Sequence, residues 1–464
     1  MKQRSNSLDA LRGLAILLMI LSGSIAFGGV LPGWMYHAQE PPPEHVFNPA
    51  LPGITWVDLV FPFFLFSMGA AIPLAIRKRL SADQSAGRII LHSAERYILL
   101  IFFALFIVHA RAGVMSKTPG LQENLISVGC FILLFMIYGQ WKHLLNYYAA
   151  MALKTAGVVI GLSFLFMYPF EDGFNVSNND IIITILANMA FFGSLIWLMT
   201  RNSPLLRLGI LPFIMAVMLA GGIPGSLNAF IYSWTPAPWM YNFNFLKYLF
   251  IIIPATFAGD WLILKEKNDT SIWKEADRRT GVLVTFVILL ILICNVACLY
   301  KRFLILNFFL TTGFCALLFF GLSRMNDSSG VFKRFAKAGI YLLLLGLFFE
   351  AYEGGIKKDI STYSYYFVTS GLAFLLLTAF VILEKSLYLK PVFGFLSANG
   401  KNPMVAYTAG MLFLLPVLRM TGAEKLLDYM SNNAAGGFLR GVIFTGIVSL
   451  ITFFCTRMKL FWRT

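Results

Sequence analysis

Two histidines and an aspartate lie close together near the start of this chain, in residue types that could do acid–base chemistry. The segment reads Trp34-Met35-Tyr36-His37-Ala38-Gln39, then Pro41-Pro42-Pro43-Glu44-His45, then Thr55-Trp56-Val57-Asp58-Leu59-Val60-Phe61-Pro62. Imidazole changes charge near neutrality and is the usual general base at physiological pH. A carboxylate beside it fixes the tautomer and steadies the imidazolium, the logic of the hydrolase triad. Three successive prolines favour a stiff, extended path, and Pro32, Pro49 and Pro52 constrain the loop further. A histidine on such a loop can be aimed. His37, with His45 as the second choice, and Asp58 are therefore the candidate catalytic groups. The competing readings are solvated loop histidines and an aspartate that only caps a helix.

The elements that must position these groups are apolar. The chain has 464 residues, 58% hydrophobic and only 13% charged, with mean hydropathy +0.74, whereas soluble domains run at about 25% charged. Spanning helices need about 20 mainly apolar residues. Candidate runs fall near 8–30, 55–76, 89–109, 122–139, 147–168, 180–199, 205–222, 244–264, 281–299, 303–323, 335–352, 364–383, 401–418 and 438–456. The expectation is an all-α, polytopic membrane bundle of roughly 11–14 transmembrane helices. It reads as one transmembrane domain over 1–464, with its motifs concentrated in 7–110 and a histidine loop at 31–54. Asp58 then lies about one turn inside the second helix, and ionisable groups at such depth seldom serve packing alone.

The net charge of +15 does not point to nucleic acid, because the basic residues punctuate the ends of apolar runs and form no single patch. They follow the positive-inside pattern: Arg77-Lys78-Arg79, 201–207, 265–279, 324–337 and 457–463 fall on one side, while 31–54, 169–180 and 221–243 contain no Lys or Arg. With the basic Met1 to Asn6 inside, both termini are expected in the cytoplasm of a bacterial-type inner membrane, and the histidine loop outside. The first apolar run has no convincing small-residue cleavage site and reads as a retained helix. Cys130, Cys294, Cys298, Cys315 and Cys455 all sit in apolar stretches, without metal-like spacing to histidine, so no metal is expected.

Several motifs in order resemble the heparan-α-glucosaminide N-acetyltransferase family, within the wider group of transmembrane acyltransferases. They are Ser7, Asp9, Arg12 and Gly13; Tyr36-His37-Ala38; Asp58-Leu59-Val60-Phe61-Pro62; and Met68-Gly69. Lys358-Asp359-Ile360-Ser361-Thr362-Tyr363-Ser364-Tyr365 is similar to a later family stretch, and Gly400-Lys401-Asn402-Pro403, leading to Tyr407, resembles a late helix start. The chain departs from the family pattern in an insertion including Pro41 to Pro52, in Ser22-Gly23-Ser24 where the family carries asparagine, and in Tyr241-Asn242-Phe243-Asn244 where it carries Asp-Pro-Glu-Gly.

The resemblance implies that His37 is the catalytic histidine and that acetyl-CoA is the acyl donor, bound from the cytoplasm. Arg12, Arg77, Lys78, Arg79 and Arg96 are the candidate cofactor-binding cations, arginine being suited to bidentate phosphate contact; topology alone accounts for some of them. The implied acceptor is an amino sugar or saccharide outside, in a membrane-lipid setting, and the family also implies a homodimer. Glu350 and Glu353, three apart on one helix face, offer carboxylates to a sugar or an ammonium, or to a pair with Lys357 or Lys358. Asn402 completes the candidate substrate-binding set. The rival class is a secondary transporter or flippase for a sugar or lipid-linked saccharide. Transporters place their ionisable groups near the bilayer midplane, whereas the best groups here sit at helix ends.

Overall fold

The computed structural model describes residues 6–141, 144–268, 273–386 and 389–464. The basic start at Met1 to Ser5 and residues 269–272 of the basic 265–279 segment lie outside these. In chain order the long helices are α1 (Asn6–Ser22), α2 (Trp56–Leu80), α3 (Ala86–His109), α4 (Leu121–Tyr138), α5 (Tyr147–Met167), α6 (Ile181–Thr200), α7 (Pro204–Ala220), α8 (Leu249–Asn268), α9 (Glu275–Lys301), α10 (Leu304–Ser323), α11 (Val331–Tyr352), α12 (Tyr363–Ser386), α13 (Lys390–Lys401), α14 (Pro403–Thr421) and α15 (Ala434–Arg457). Each of the fourteen apolar runs forms a helix. Twelve helices among the described residues are long and apolar enough to cross a bilayer, with α1 and α7 slightly shorter. The protein is a polytopic helical membrane protein.

The first helix is shorter than its apolar run. The expected span 8–30 stops at Ser22, where Ser22 and Ser24 hydroxyls donate to the carbonyls of Met19 (2.9 Å) and Ile20 (2.7 Å). Serine hydroxyls compete with the backbone in this way. Gly28 and Gly29 then take φ of +82° and +80°, a conformation in which glycine carries no steric penalty. The rest of the apolar run becomes loop.

The helices form two compact units, each assembled from two stretches of chain. The first comprises Met1–Asp83 and Tyr248–Gly400, hence α1, α2 and α8–α13; the second comprises Gln84–Lys247 and Lys401–Thr464, hence α3–α7, α14 and α15. Within the first unit, 94% of the apolar window of α12 is buried, against 83% for α2 and 22% for α10, so α12 and α2 are central and α10 peripheral. A helix that is apolar all round must face protein or lipid on every side. The backbones of α11 and α12 touch: a Cβ built on Gly371 would lie 2.6 Å from Leu343 N and 2.7 Å from Gly339 O. Small residues permit such approach in membrane bundles.

Three of the prolines inside the helices, Pro62, Pro254 and Pro416, are matched by hydroxyls from neighbouring helices. A helical proline cannot donate to the carbonyl four residues earlier, and in lipid a freed carbonyl must find another donor. Pro62 frees the carbonyl of Asp58, which accepts the Tyr365 hydroxyl from α12 at 2.7 Å. Pro254 frees that of Phe250, which accepts the Ser370 hydroxyl, also from α12, at 3.4 Å. In the second unit Pro416 frees that of Leu412, which accepts the Ser127 hydroxyl of α4 at 3.4 Å; the same stretch of α14 winds as a π-helix over Ala409–Leu414.

The pairing of Pro62 with Tyr365 is testable by a double-mutant cycle. Tyr365→Phe should lower the unfolding free energy by about 1–3 kcal/mol, the cost of an orphaned buried acceptor. Pro62→Ala restores an N–H and should recover most of that loss when combined with it. Thermal or denaturant unfolding of the detergent-solubilised protein measures both. A Tyr365→Phe variant as stable as the parent, with Pro62 in place, would contradict the assignment.

Candidate functional site

The histidine loop holds its shape through a small apolar centre of its own. Ile25, Leu31, Met35 and Tyr36 are buried together, with Leu21 and Trp56 against them. The Tyr36 hydroxyl donates to Ala26 O at 2.6 Å, and burial pushes its phenol above the ordinary value, keeping it a donor. The Tyr36 carbonyl accepts the Thr55 hydroxyl at 2.6 Å. That contact fastens the residue before His37 to the start of α2.

Thr55 is also the N-cap of α2. Its Oγ1 accepts from Val57 N at 3.2 Å, while Asp58, three residues on, accepts from Thr55 N through Oδ2 at 2.9 Å. This is a capping box with aspartate as the returning acid, and the helix N-terminus favours its negative charge. Asp58 Oδ2 also accepts from Ala38 N at 3.2 Å. The other oxygen, Oδ1, lies 2.7 Å from His37 Nδ1. An ionised carboxylate only accepts, so Nδ1 carries a proton, and in the neutral ring Nε2 presents its lone pair. Asp58 is 2% exposed and His37 31% exposed: the carboxylate is enclosed and the ring is reachable.

A second segment, between α11 and α12, closes on this loop in the same unit. Gly53 N donates to Ile356 O at 2.7 Å. Gln39 and the Asp359 backbone pair reciprocally: Asp359 N donates to Gln39 Oε1 at 2.8 Å, and Gln39 Nε2 donates to Asp359 O. Lys358 Nζ lies 3.3 Å from both His37 ring nitrogens. Thus the stretch Lys358 to Tyr365, the weaker of the family-like motifs, meets the histidine loop. No regular spacing signals this meeting across more than three hundred residues; the capping pair Thr55 and Asp58 was the one supporting contact with a local signature.

The other expected site residues fall differently. His45 sits at φ +53°, its Nδ1 3.3 Å from Glu40 O, its Nε2 accepting from Gly28 N at 3.1 Å, and its ring against Tyr36 and Phe27. Both its nitrogens serve the loop backbone. Glu350 is ion-paired to Arg302 and accepts from Ile356 N at 3.3 Å; its partner is neither Lys357 nor Lys358. Glu353 caps α12, accepting from Tyr363 N and Ser364 N, each at 2.9 Å. Both carboxylates therefore shape the segment that carries Lys358.

Arg12 bonds Asp9 Oδ1 at 3.3 Å, Gly400 O at 3.4 Å and Ser67 O at 3.2 Å, and Ser7 bonds Glu384 of α12 through both its N–H and its hydroxyl. The early Ser-x-Asp and Arg-Gly motif is thereby a packing joint with the late Gly400, and Arg12 is occupied by it. Arg77 pairs with Asp260 at 3.0 Å, and Lys78 is exposed. Along α2 these cations lie about 29 Å from Asp58 at 1.5 Å per residue, close to one hydrocarbon thickness of about 30 Å. Arg96 and Asn402 belong to the second unit, where Asn402 binds the chain end, donating to Leu460 O at 2.9 Å and accepting from Trp462 N at 3.1 Å. Among the described residues, no three His, Cys, Asp or Glu side chains gather as metal ligands would.

Comparison with known proteins adds two findings. Residues 4–262, more than half of the chain, match a family model described as "Domain of unknown function (DUF5009)". A 128-residue stretch is 33% identical to the human (Homo sapiens) heparan-alpha-glucosaminide N-acetyltransferase, covering 26% of this chain and 17% of the human protein. The chain thus aligns with less than a fifth of that relative's length.

The Arg302–Glu350 pair is asymmetric, and its removal should be too. Glu350 is 3% exposed and Arg302 32% exposed. Arg302→Ala strands a buried carboxylate and should cost about 3–5 kcal/mol. Glu350→Ala leaves a guanidinium that reaches water, and should cost less. Unfolding curves of the two variants, measured side by side in one detergent, check the order; the reverse order would refute it.

Proposed function

The chain belongs to the DUF5009 family, and from that premise we propose that it is a membrane-embedded acyltransferase carrying an acetyl group from acetyl-CoA to an amino sugar or related saccharide. The human relative is an N-acetyltransferase by name, which supports the reaction class. The observation that carries the reading is the pair His37 and Asp58, 2.7 Å apart, the acid buried and the base one-third exposed, at the helix end of a membrane bundle.

In this reading His37 Nε2 takes the proton from the acceptor as its nitrogen or oxygen attacks the thioester carbonyl, and returns it to the leaving thiolate. Asp58 steers the ring and balances the imidazolium that forms between the two steps. The same nitrogen could instead attack the thioester and carry the acetyl group itself; label retained on the protein in the absence of acceptor would identify that route. The cations Arg77, Lys78 and Arg79 at the far end of α2 are the proposed contacts for the nucleotide end of the donor, with that end on the cytoplasmic side. Arg12 takes no part in this, since its guanidinium is committed to Asp9, Ser67 and Gly400. His45 holds the loop and takes no proton from substrate.

Full-length protein in nanodiscs, given acetyl-CoA and glucosamine, should release free thiol and form acetylated sugar. His37→Ala should lower kcat by about 10²–10⁴-fold, the usual contribution of a positioned general base, in a protein that still folds but is less stable by about 1–3 kcal/mol, because Asp58 Oδ1 loses its donor. A His37→Ala protein turning over at the parental rate would end this reading.

A further inference from the structure

We propose that Lys358 is a catalytic residue of this site, its ammonium donating to the oxyanion that forms on the thioester carbonyl; the proposal rests on the acyltransfer reading above. The first observation is the position of the charge. Lys358 Nζ is 3.3 Å from His37 Nδ1 and 3.3 Å from Nε2. A point equidistant from both nitrogens and lying in the ring plane would be driven into Cε1, so the ammonium sits off the plane. It therefore leaves free the in-plane lone pair of Nε2, the one that must meet a proton or a carbonyl carbon.

The second observation is spare donor capacity. An ammonium has three N–H donors. Among the described residues that of Lys358 makes no hydrogen bond to a protein oxygen: its ion pair with Asp359 Oδ2 spans 4.0 Å, beyond hydrogen-bond range. Lys358 is 25% exposed, and its segment is anchored through the Gln39–Asp359 pairing and the bond from Gly53 N to Ile356 O. A lysine held this way beside a base, with no hydrogen bond to a protein oxygen among the described residues, suits an anion that appears only during reaction. A donor fixed before charge develops is the usual form of oxyanion stabilisation.

The chemistry balances without another reactant. The acceptor heteroatom bonds to the carbonyl carbon, its proton passes to Nε2, and the carbonyl π pair moves to oxygen, where the ammonium donates a hydrogen bond. On collapse the C=O bond re-forms, the C–S bond breaks, and the thiolate takes the proton from Nε2. If His37 attacks first, the same oxygen carries the same charge in each half-reaction. In the tetrahedral adduct, rotation about the newly formed bond lets the oxyanion stand off the ring plane, on the side that the ammonium marks.

The test uses full-length protein in nanodiscs with acetyl-CoA and glucosamine, reading thiol release. Lys358→Met should lower kcat by about 10²–10³-fold, the effect of removing one oxyanion donor, with KM for acetyl-CoA changed less than about threefold, since the interaction is absent from the ground state. Lys358→Arg should recover at least a tenth of the lost rate, and Lys358→Gln, polar but uncharged, should not. If Lys358→Met does not fold, the Arg and Gln pair decides. A loss below about fivefold in Lys358→Met, or in Lys358→Gln where it serves as the substitute, alongside an inactive His37→Ala, overturns the role of Lys358 and leaves the acyltransferase reading standing. Parental rates in both His37→Ala and Lys358→Met overturn that reading itself.

Discussion

A buried carboxylate is costly unless donors surround it, and Asp58 solves that problem by standing where three residues donate to its side chain, while a fourth donates to its main-chain carbonyl. Thr55 N reaches it at 2.9 Å and closes the cap of α2. Ala38 N reaches it at 3.2 Å and draws the loop down onto the helix. His37 reaches it at 2.7 Å. Its own carbonyl, freed by Pro62, receives Tyr365 from α12. The side chain thereby fixes the start of α2, the path of the histidine loop and the orientation of the imidazole together. None of these could shift alone without leaving acceptor capacity in a place water does not easily reach.

The fold was legible because one rule governs it. Backbone groups in lipid must be satisfied within helices, so every apolar run of sufficient length had to become one, and the run around Pro212 did so as α7 despite its proline. The rule says nothing about where a run stops within apolar sequence. Ser22 and Ser24 end α1 through local hydroxyl bonds, an effect invisible to hydropathy. The site divided in the same way. His37 and Asp58 stand close in sequence and share a loop and a cap, so local chemistry suggested the pair.

Long-range partners were not legible. Glu350 and Glu353 do share a helix end, but spacing does not name a partner. Arg302, in a left-handed turn at φ +63°, claims the first, and the backbone of α12 claims the second. Lys358 looked like a counter-ion for those glutamates and instead lies against an imidazole far away in the chain. Arg12 had the charge and side expected of a phosphate ligand, yet the close approach of Gly13 and Gly400 brings it to backbone carbonyls that use its donors. In each case the deciding contact comes from an element whose proximity only the assembled bundle creates.

The central helix α12 links these observations. Its Tyr365 and Ser370 satisfy carbonyls that prolines open in α2 and α8, its first turn is capped by Glu353, and the segment leading into it carries Lys358. A proline four residues after Asp58 looks like a defect in α2. Its effect is to turn a carbonyl that would have been spent within the helix into a directional acceptor for α12. Hydrophobic packing between apolar helices has little power to set rotation or register, because lipid is as apolar as a neighbouring helix. A hydrogen bond to one freed carbonyl has that power. The register of α12 against α2, and with it the approach of the Lys358 segment to His37, is thus specified by a proline–hydroxyl pair placed one turn below the imidazole.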